Sequence, residues 1–155
     1  MEKAIFAAGC FWGVEEDFRE ILGVISTRVG YTGGHLDNPT YQQVCTDSTG
    51  HAEAVEITFD PDQISYAQLL EIFWHSHDPT QLNRQGPDFG TQYRSAIFYT
   101  TEEQRLIAEG SLEQQQGSGK HLRRVVTEIV PASTFWEAEA YHQKYVMKNQ
   151  GGCGF

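Results

Sequence analysis

Two residues carry chemistry that their surroundings do not demand. Cys10 sits in Gly9-Cys10-Phe11-Trp12-Gly13, where the apolar run from Lys3 to Ala8 gives way to helical spacing. A thiol at a strand-to-helix junction faces the free N–H groups and positive dipole end of the helix, which lower its pKa and favour the nucleophilic thiolate. The flanking glycines let the chain turn tightly and a ligand come close. The plainer alternative is a small buried cysteine packed as a hydrophobe. Trp12 lies off the apolar stripe of that helix, either as one wall of a site or as a structural plug.

Glu53 is the second such residue. In Ala52-Glu53-Ala54-Val55-Glu56-Ile57-Thr58-Phe59, strand alternation puts Val55, Ile57 and Phe59 on one face. Glu53 belongs to that face, while Glu56 and Thr58 point the other way. A carboxyl at the end of an apolar row loses solvent, which raises its pKa and keeps it protonated as a proton donor near neutral pH. If the strand begins one residue later, Glu53 is simply solvated.

The elements around these two residues follow from periodicity and turn chemistry. Phe11, Val14, Phe18, Ile21 and Leu22 form the stripe of a helix over 11–22, closed by Gly23. Val24 to Tyr31 alternates as a strand, with Ile25, Thr27, Val29 and Tyr31 on one face, and a loop through Gly33-Gly34 and Asn38-Pro39 follows. Residues 52–59 form a strand stopped by Asp60-Pro61. Ser65 then caps a helix whose Tyr66, Leu69, Leu70, Phe73 and Trp74 share a face. A polar loop runs from His77 to Gln92, and Tyr93 to Tyr99 is a strand. A capping box of Thr100 and Glu103 opens a helix to about Gln116, Val125 to Val130 is a strand, and Phe135 to Val146 a final helix. Short strands with few helices predict an α+β two-layer sandwich, a mixed sheet with helices packed over it. With no linker or repeat, one domain over 1–155 is expected, ending in a glycine-rich, mobile C-terminal tail from about 147 to 155.

Composition narrows the partners. The 155 residues include 11 Lys and Arg against 21 Asp and Glu, a net charge of −10. That balance argues against nucleic acid and anionic membranes, and the single adjacent basic pair, Arg123-Arg124, does not change it. No apolar run approaches a membrane span or a secretory leader. Three widely spaced cysteines, Cys10, Cys45 and Cys153, form no C-x-x-C pair and no disulfide scaffold. A soluble, cytoplasmic protein is the expectation, and no long apolar surface stripe is left over, which fits a monomer.

Seven segments together resemble the A-type peptide methionine sulfoxide reductases. They are Gly9-Cys10-Phe11-Trp12-Gly13, Gly30-Tyr31-Thr32-Gly33-Gly34, Pro39-Thr40-Tyr41, Thr49-Gly50-His51-Ala52-Glu53-Ala54-Val55, His77-Asp78-Pro79-Thr80-Gln81, Gly90-Thr91-Gln92-Tyr93-Arg94-Ser95, and Phe135-Trp136-Glu137-Ala138-Glu139 with Tyr141-His142-Gln143. They follow the family's order and spacing over nearly the whole chain. The resemblance implies reduction of the S epimer of methionine sulfoxide, free or in proteins, with no bound cofactor and thioredoxin as external reductant. It implies Cys10 as nucleophile, Glu53 as the acid, and Tyr41 and Tyr93 as hydroxyls to the sulfoxide oxygen. It further implies Phe11 and Trp12 as the apolar wall for the substrate methyl, Asp88 as a substrate-binding acid, and Cys153 as the thiol that resolves a Cys10 sulfenic acid through a disulfide. Cys45 is expected to be a bystander, with a resolving role as the alternative.

Three other readings use the same residues. His75 and His77 with His51 and Cys45 suggest zinc, but lack the usual close ligand spacing. Cys10 with His51 or His142 suggests a cysteine hydrolase, which needs a base and an oxyanion hole. An aromatic pocket that binds thioether side chains without turnover has no use for the thiol or for Glu53.

Overall fold

A computed structural model describes residues 1–149 of the chain. The sheet is built around β3 (Ala52–Phe59), whose buried, alternating residues pair on one side with β1 (Glu2–Ala8) and on the other with β2 (Val24–Thr32). β6 (Ser95–Tyr99) pairs antiparallel with β1, and β7 (Glu128–Pro131) pairs parallel with β6. β8 (Trp136–Glu137) closes the far edge against β2, giving the order β7-β6-β1-β3-β2-β8 in a mixed six-stranded sheet. A separate two-stranded hairpin, β4 (Arg84–Gln85) with β5 (Asp88–Phe89), stands in the loop after the third helix.

One face of the sheet carries the large residues Phe6, Val29, Tyr31, Val55, Ile57 and Phe59. Helices α1 (Phe11–Arg19), α3 (Tyr66–His75) and α4 (Glu102–Gly117) bury Phe11, Phe18, Leu69, Phe73 and Ala108 against it. The other face is lined by the small Ala7, Ala52, Ala54 and Ala96 with Phe98, and the segment around Val130 to Phe135 covers it. With α1, α3 and α4 on one face and an extended chain segment over the other, the fold is the two-layer α+β sandwich that the sequence predicts. Ser65 caps α3 in a full capping box with Gln68. α2 (Tyr41–Cys45) is a single short helix inside the expected loop, capped by Thr40 and Gln43. Among the described residues no helix is long and apolar enough to cross a membrane.

Several local expectations are corrected. α1 stops at Arg19, leaving Leu22 82% exposed, and a register shift between Val24 and Ser26 turns Ile25 outward at 55% exposure. The cap of α4 is Thr101, one residue later than expected, because Gln104 rather than Glu103 stands at the third position and also donates to the Lys3 carbonyl at 2.8 Å. Tyr93 ends a 3₁₀ turn over Thr91–Tyr93 instead of opening a strand. The largest difference is near the C-terminus. Residues 135–146 form β8, a 3₁₀ turn over Ala140–His142 and the start of α5 (Tyr145–Asn149), not one helix. The unpaired edge of β2 wins over helix propensity here: Trp136 and Glu137 pair with Tyr31 and Gly30, Ala138 N–H donates to Val29 O at 2.9 Å, and the Gln143 amide serves Val29 N–H and C=O. Residues 147–149 belong to α5 rather than to the expected tail, and the rest of that tail, Cys153 included, lies outside the described residues.

A buried latch ties this last segment to the first helix. Glu15, buried on α1, accepts from the Thr27 hydroxyl at 2.8 Å, from Lys144 N–H at 2.7 Å and from Lys144 Nζ at 3.0 Å, while Nζ also donates to Thr27 O at 2.6 Å. Replacing Glu15 by Ala strands these donors, and urea unfolding is expected to read a loss of about 2–3 kcal/mol. An unchanged midpoint would mean that the latch adds nothing to stability.

Candidate active site

Gly9 turns the chain from β1 into α1 at φ +96°, and a side chain there would collide with Gln85 Cγ at 2.8 Å. The turn leaves Cys10 at the N-cap of α1, half-buried, with its backbone carbonyl in the first helical bond. The sequence expectation of a cysteine at the positive end of a helix therefore holds. Glu53 lies under this same helix end. It is 1% exposed, and its Oε1 accepts the N–H of Phe11 at 3.2 Å, while Oε2 has no hydrogen-bond partner. Burial pushes its pKa up to about 8, with the Phe11 N–H pulling the other way and the charge of Asp88 adding to the rise. Glu53 is a neutral acid at neutral pH, and the solvated alternative is excluded.

Two phenols lie within electrostatic reach of Glu53. Burial, and next to it the charge of Glu53, holds the hydroxyl of Tyr41 well above the usual tyrosine range. The same two causes act on Tyr93, which also feels Cys45, Asp88 and Cys10. Asp88 lines a cavity of about 280 Å³ together with Cys10, Gly13, Gln85 and Gly86, and desolvation raises its pKa. Cys10, Glu53, Tyr41, Tyr93 and Asp88 are thus brought together, three of them from loops and short turns that the sheet and α1 position.

The two proposed wall residues are not alike. Trp12 is half-buried, its indole N–H donates to His142 Nδ1 at 2.8 Å, and its ring stacks on Tyr145 at 3.9 Å. Phe11 is fully buried, its ring 5.7 Å from Tyr31 and 5.2 Å from His142. It forms floor rather than exposed wall.

A supporting layer escaped the sequence reading. The Glu139 carboxylate accepts from the Tyr31 hydroxyl at 2.8 Å and from Tyr41 N–H at 2.9 Å. Burial works against its charge, but these donors win and hold its pKa below the usual carboxylate value. His142, completely buried, packs on the rings of Phe11, Trp12 and Tyr41, and burial lowers its pKa. With Nδ1 accepting from Trp12, its proton lies on Nε2. Both residues stand in the last of the seven segments, Phe135 to Gln143, where the expected helix gave Glu139 no role and His142 only that of a hydrolase base. Cys45 is exposed rather than buried, and it lies close enough to Tyr41 for the thiol and the phenol to perturb each other.

The histidines do not supply a hydrolase base. His51 spends Nδ1 on the N–H of Gly34 at 3.0 Å and Nε2 on the carbonyl of Leu36 at 2.7 Å, bracing the loop that carries Thr49 and Gly50. Among the described residues no group of three or more His, Cys, Asp or Glu is placed to hold a metal ion. What the cluster offers is a sulfur nucleophile beside three neutral O–H donors, suited to a substrate whose oxygen must gain a proton as its neighbouring atom is attacked.

Known proteins carry the same arrangement of sequence and fold. The family model described as peptide methionine sulfoxide reductase matches residues 2–154. The peptide methionine sulfoxide reductase MsrA of Geobacter sulfurreducens is 60% identical over 152 residues, 98% of this chain and 94% of the relative. The protein of that name from Methanothermobacter thermautotrophicus is 63% identical over 148 residues, 96% of this chain and 88% of the relative. Among solved structures, Mxr1 from Saccharomyces cerevisiae in its reduced form superposes with a TM-score of 0.89 at 35% identity, covering 97% of this chain and 87% of that one. Mxr1 in complex with Trx2 shares the fold at a TM-score of 0.63 and 24% identity, over 93% and 84% of the two chains. With a family model spanning nearly its full length and relatives this similar, the chain belongs to the peptide methionine sulfoxide reductases.

Proposed function

We propose that this chain is an enzyme that reduces the S epimer of methionine sulfoxide to methionine, with Cys10 as nucleophile, Glu53 as acid and thioredoxin as the final reductant. The observation that carries the reading is the neutral Glu53 carboxyl held by the N–H of the residue next to Cys10. A sulfoxide sulfur resists a thiolate until its oxygen is protonated, so nucleophile and acid must share one pocket. Cys10 attacks the sulfoxide sulfur while Glu53 gives a proton to the oxygen, and the hydroxyls of Tyr41 and Tyr93 stabilise the charge that gathers there. Methionine departs with two electrons more than the sulfoxide held, and the oxygen stays on Cys10 as a sulfenic acid. Trp12 over a floor of Phe11 holds the methyl group, and Asp88 binds the substrate's polar end.

The Cys153 thiol then condenses with the sulfenic acid, releasing water and leaving a Cys10–Cys153 disulfide. A thioredoxin dithiol reopens that bridge by exchange, and no bound cofactor takes part. Two features support these steps. Trp12, two residues after Cys10, stacks on Tyr145 at the head of α5, the helix that precedes Cys153 in the sequence. Mxr1, whose fold this chain shares, has been captured with Trx2. A transient bridge that must be reopened belongs in a reducing compartment, which favours the cytoplasm, and the chemistry needs only one copy of the chain.

The reading is tested by NADPH consumption with thioredoxin, thioredoxin reductase and separated epimers of N-acetyl methionine sulfoxide. Turnover of the S epimer alone, abolished by Cys10→Ser, is the expected result. No turnover by the wild type with active thioredoxin would overturn it.

Glu53 makes a pH-dependent prediction. Its raised pKa means that the protonated form, present below about pH 8, is the working one. The rate of sulfenic acid formation should fall above that pH in the wild type. Glu53→Gln keeps an N–H donor and should lose this limb at partial activity, while Glu53→Ala should lose about 10²–10³-fold. The folded state binds this proton more tightly than the unfolded chain, so the stability it contributes is full below pH 4.5 and drains away as pH rises through about 8. Glu53→Gln should therefore flatten the fall in melting temperature over that window.

Cys153→Ser should complete one turnover and stall with thioredoxin, with sulfenic acid trapped on Cys10 by dimedone and read by mass spectrometry. Sustained turnover lost only on further replacement of Cys45 would give the resolving role to Cys45.

A further inference from the structure

In a chain of net charge −10, one surface strip runs against the total. Lys3, Arg19, Arg28, Arg94, Arg105 and Lys144 each pair with a carboxylate. Lys120, Arg123 and Arg124 are exposed and, among the described residues, none of them pairs with a carboxylate. They stand between α4 and β7 with a fully exposed Leu122 in their midst. The strip borders two clefts of about 780 and 500 Å³, which share His121, Leu122 and Arg123. Each cleft holds one carboxylate, Glu113 in the larger and Asp78 in the smaller. Asp78 is already engaged by the N–H and hydroxyl of Thr80. Three permanent cations face these two acids, so the clefts retain a positive excess.

The strip connects to the site through one loop. Val126 N–H donates to Pro79 O at 2.9 Å, fixing the strip against residues 77–81. The Gln85 amide then clamps Asp78 from both sides, accepting its N–H and donating to its carbonyl, each at 2.9 Å. Gln85 also lines the cavity that holds Cys10 and Asp88. Gln85 therefore ties a wall residue of the smaller cleft, Asp78, to the cavity that Cys10 and Asp88 line. An extended peptide covers about 3.3 Å per residue, so a flank that runs from Cys10 past Gln85 needs only a few residues for each further ~10 Å toward the strip.

We propose that the cleft around Lys120, Arg123 and Arg124 is a substrate subsite that selects oxidised peptides carrying Asp or Glu a few residues from the methionine sulfoxide. The inference rests on the reductase reading above. Away from this strip the acidic surface repels such a peptide, so the local cations set both the position and the direction in which it lies. Leu122 adds an apolar contact beside the charges.

The test compares peptides with two Asp, two Ala or two Lys placed on either side of methionine sulfoxide, with dithiothreitol as reductant so that thioredoxin is absent. N-acetyl methionine sulfoxide serves as the substrate with no flanks. On one side, kcat/KM should rise about five-fold from Ala to Asp and fall for Lys. The difference should shrink in about 0.5 M salt, where screening acts within about 4 Å. The double variant Arg123→Glu with Arg124→Glu should reverse the order while turning over N-acetyl methionine sulfoxide as the wild type does, and Lys120→Ala should give a smaller effect in the same direction. Equal kcat/KM for the Asp and Lys peptides in a wild type active on N-acetyl methionine sulfoxide overturns the proposal. So does a double variant that keeps the wild-type order of peptides with dithiothreitol and, in a separate NADPH-coupled assay, changes only the KM for thioredoxin, which would make the strip a reductant surface. Loss of activity on the unflanked substrate by the wild type would instead bring down the reductase reading itself.

Discussion

A carboxyl with one hydrogen-bond donor and no access to water governs this molecule. Leaving a charge on Glu53 would cost several kcal/mol, and the lone N–H of Phe11 does not repay it, so the group keeps its proton. A helix N-terminus ordinarily favours an anion, and here burial outweighs it. For that balance to hold, β3 must be the central strand, α1 must begin at Cys10, and the turn at Gly9 must press both against the hairpin loop. The sheet and its helices are the enclosure that keeps one acid neutral.

Around that acid the rigid parts are aromatic and the pinning parts are ionised. Phe11, Tyr31, Trp12, Tyr41 and His142 pack ring to ring. Glu139 fixes two of them through a phenol and a backbone N–H, and it stays charged because donors surround it. Glu53 and Glu139 thus sit near each other with opposite protonation, set by how many donors each has found. The contrast separates a carboxyl that keeps its proton from one that gives it up.

What could be read from the chain was what local pattern controls. Period-two alternation put Glu53 on the buried face, and the strand-to-helix switch put Cys10 at the N-cap, both as found. The resemblance added Tyr41, Tyr93 and Asp88, whose convergence no local rule reveals because they lie on a single-turn helix, a 3₁₀ turn and a two-residue strand. The final helix failed for a non-local reason. Residues 136–138 answer the open edge of β2, and nothing within their own window signals that an edge more than a hundred positions away is waiting. Glu139 and His142 were lost with that helix, since their partners Tyr41 and Trp12 are 98 and 130 residues distant.

That same edge pairing orders events during synthesis. Cys10 leaves the ribosome more than a hundred residues before the strand that closes the sheet, the carboxylate that pins Tyr41 and the imidazole beneath Trp12. A growing chain can fold β1, β2 and β3 around Glu53 and still lack the partners of Trp12 and Tyr41. The enclosure around Cys10 therefore waits for residues 136–142, and a chain cut short of them would leave that cysteine without it.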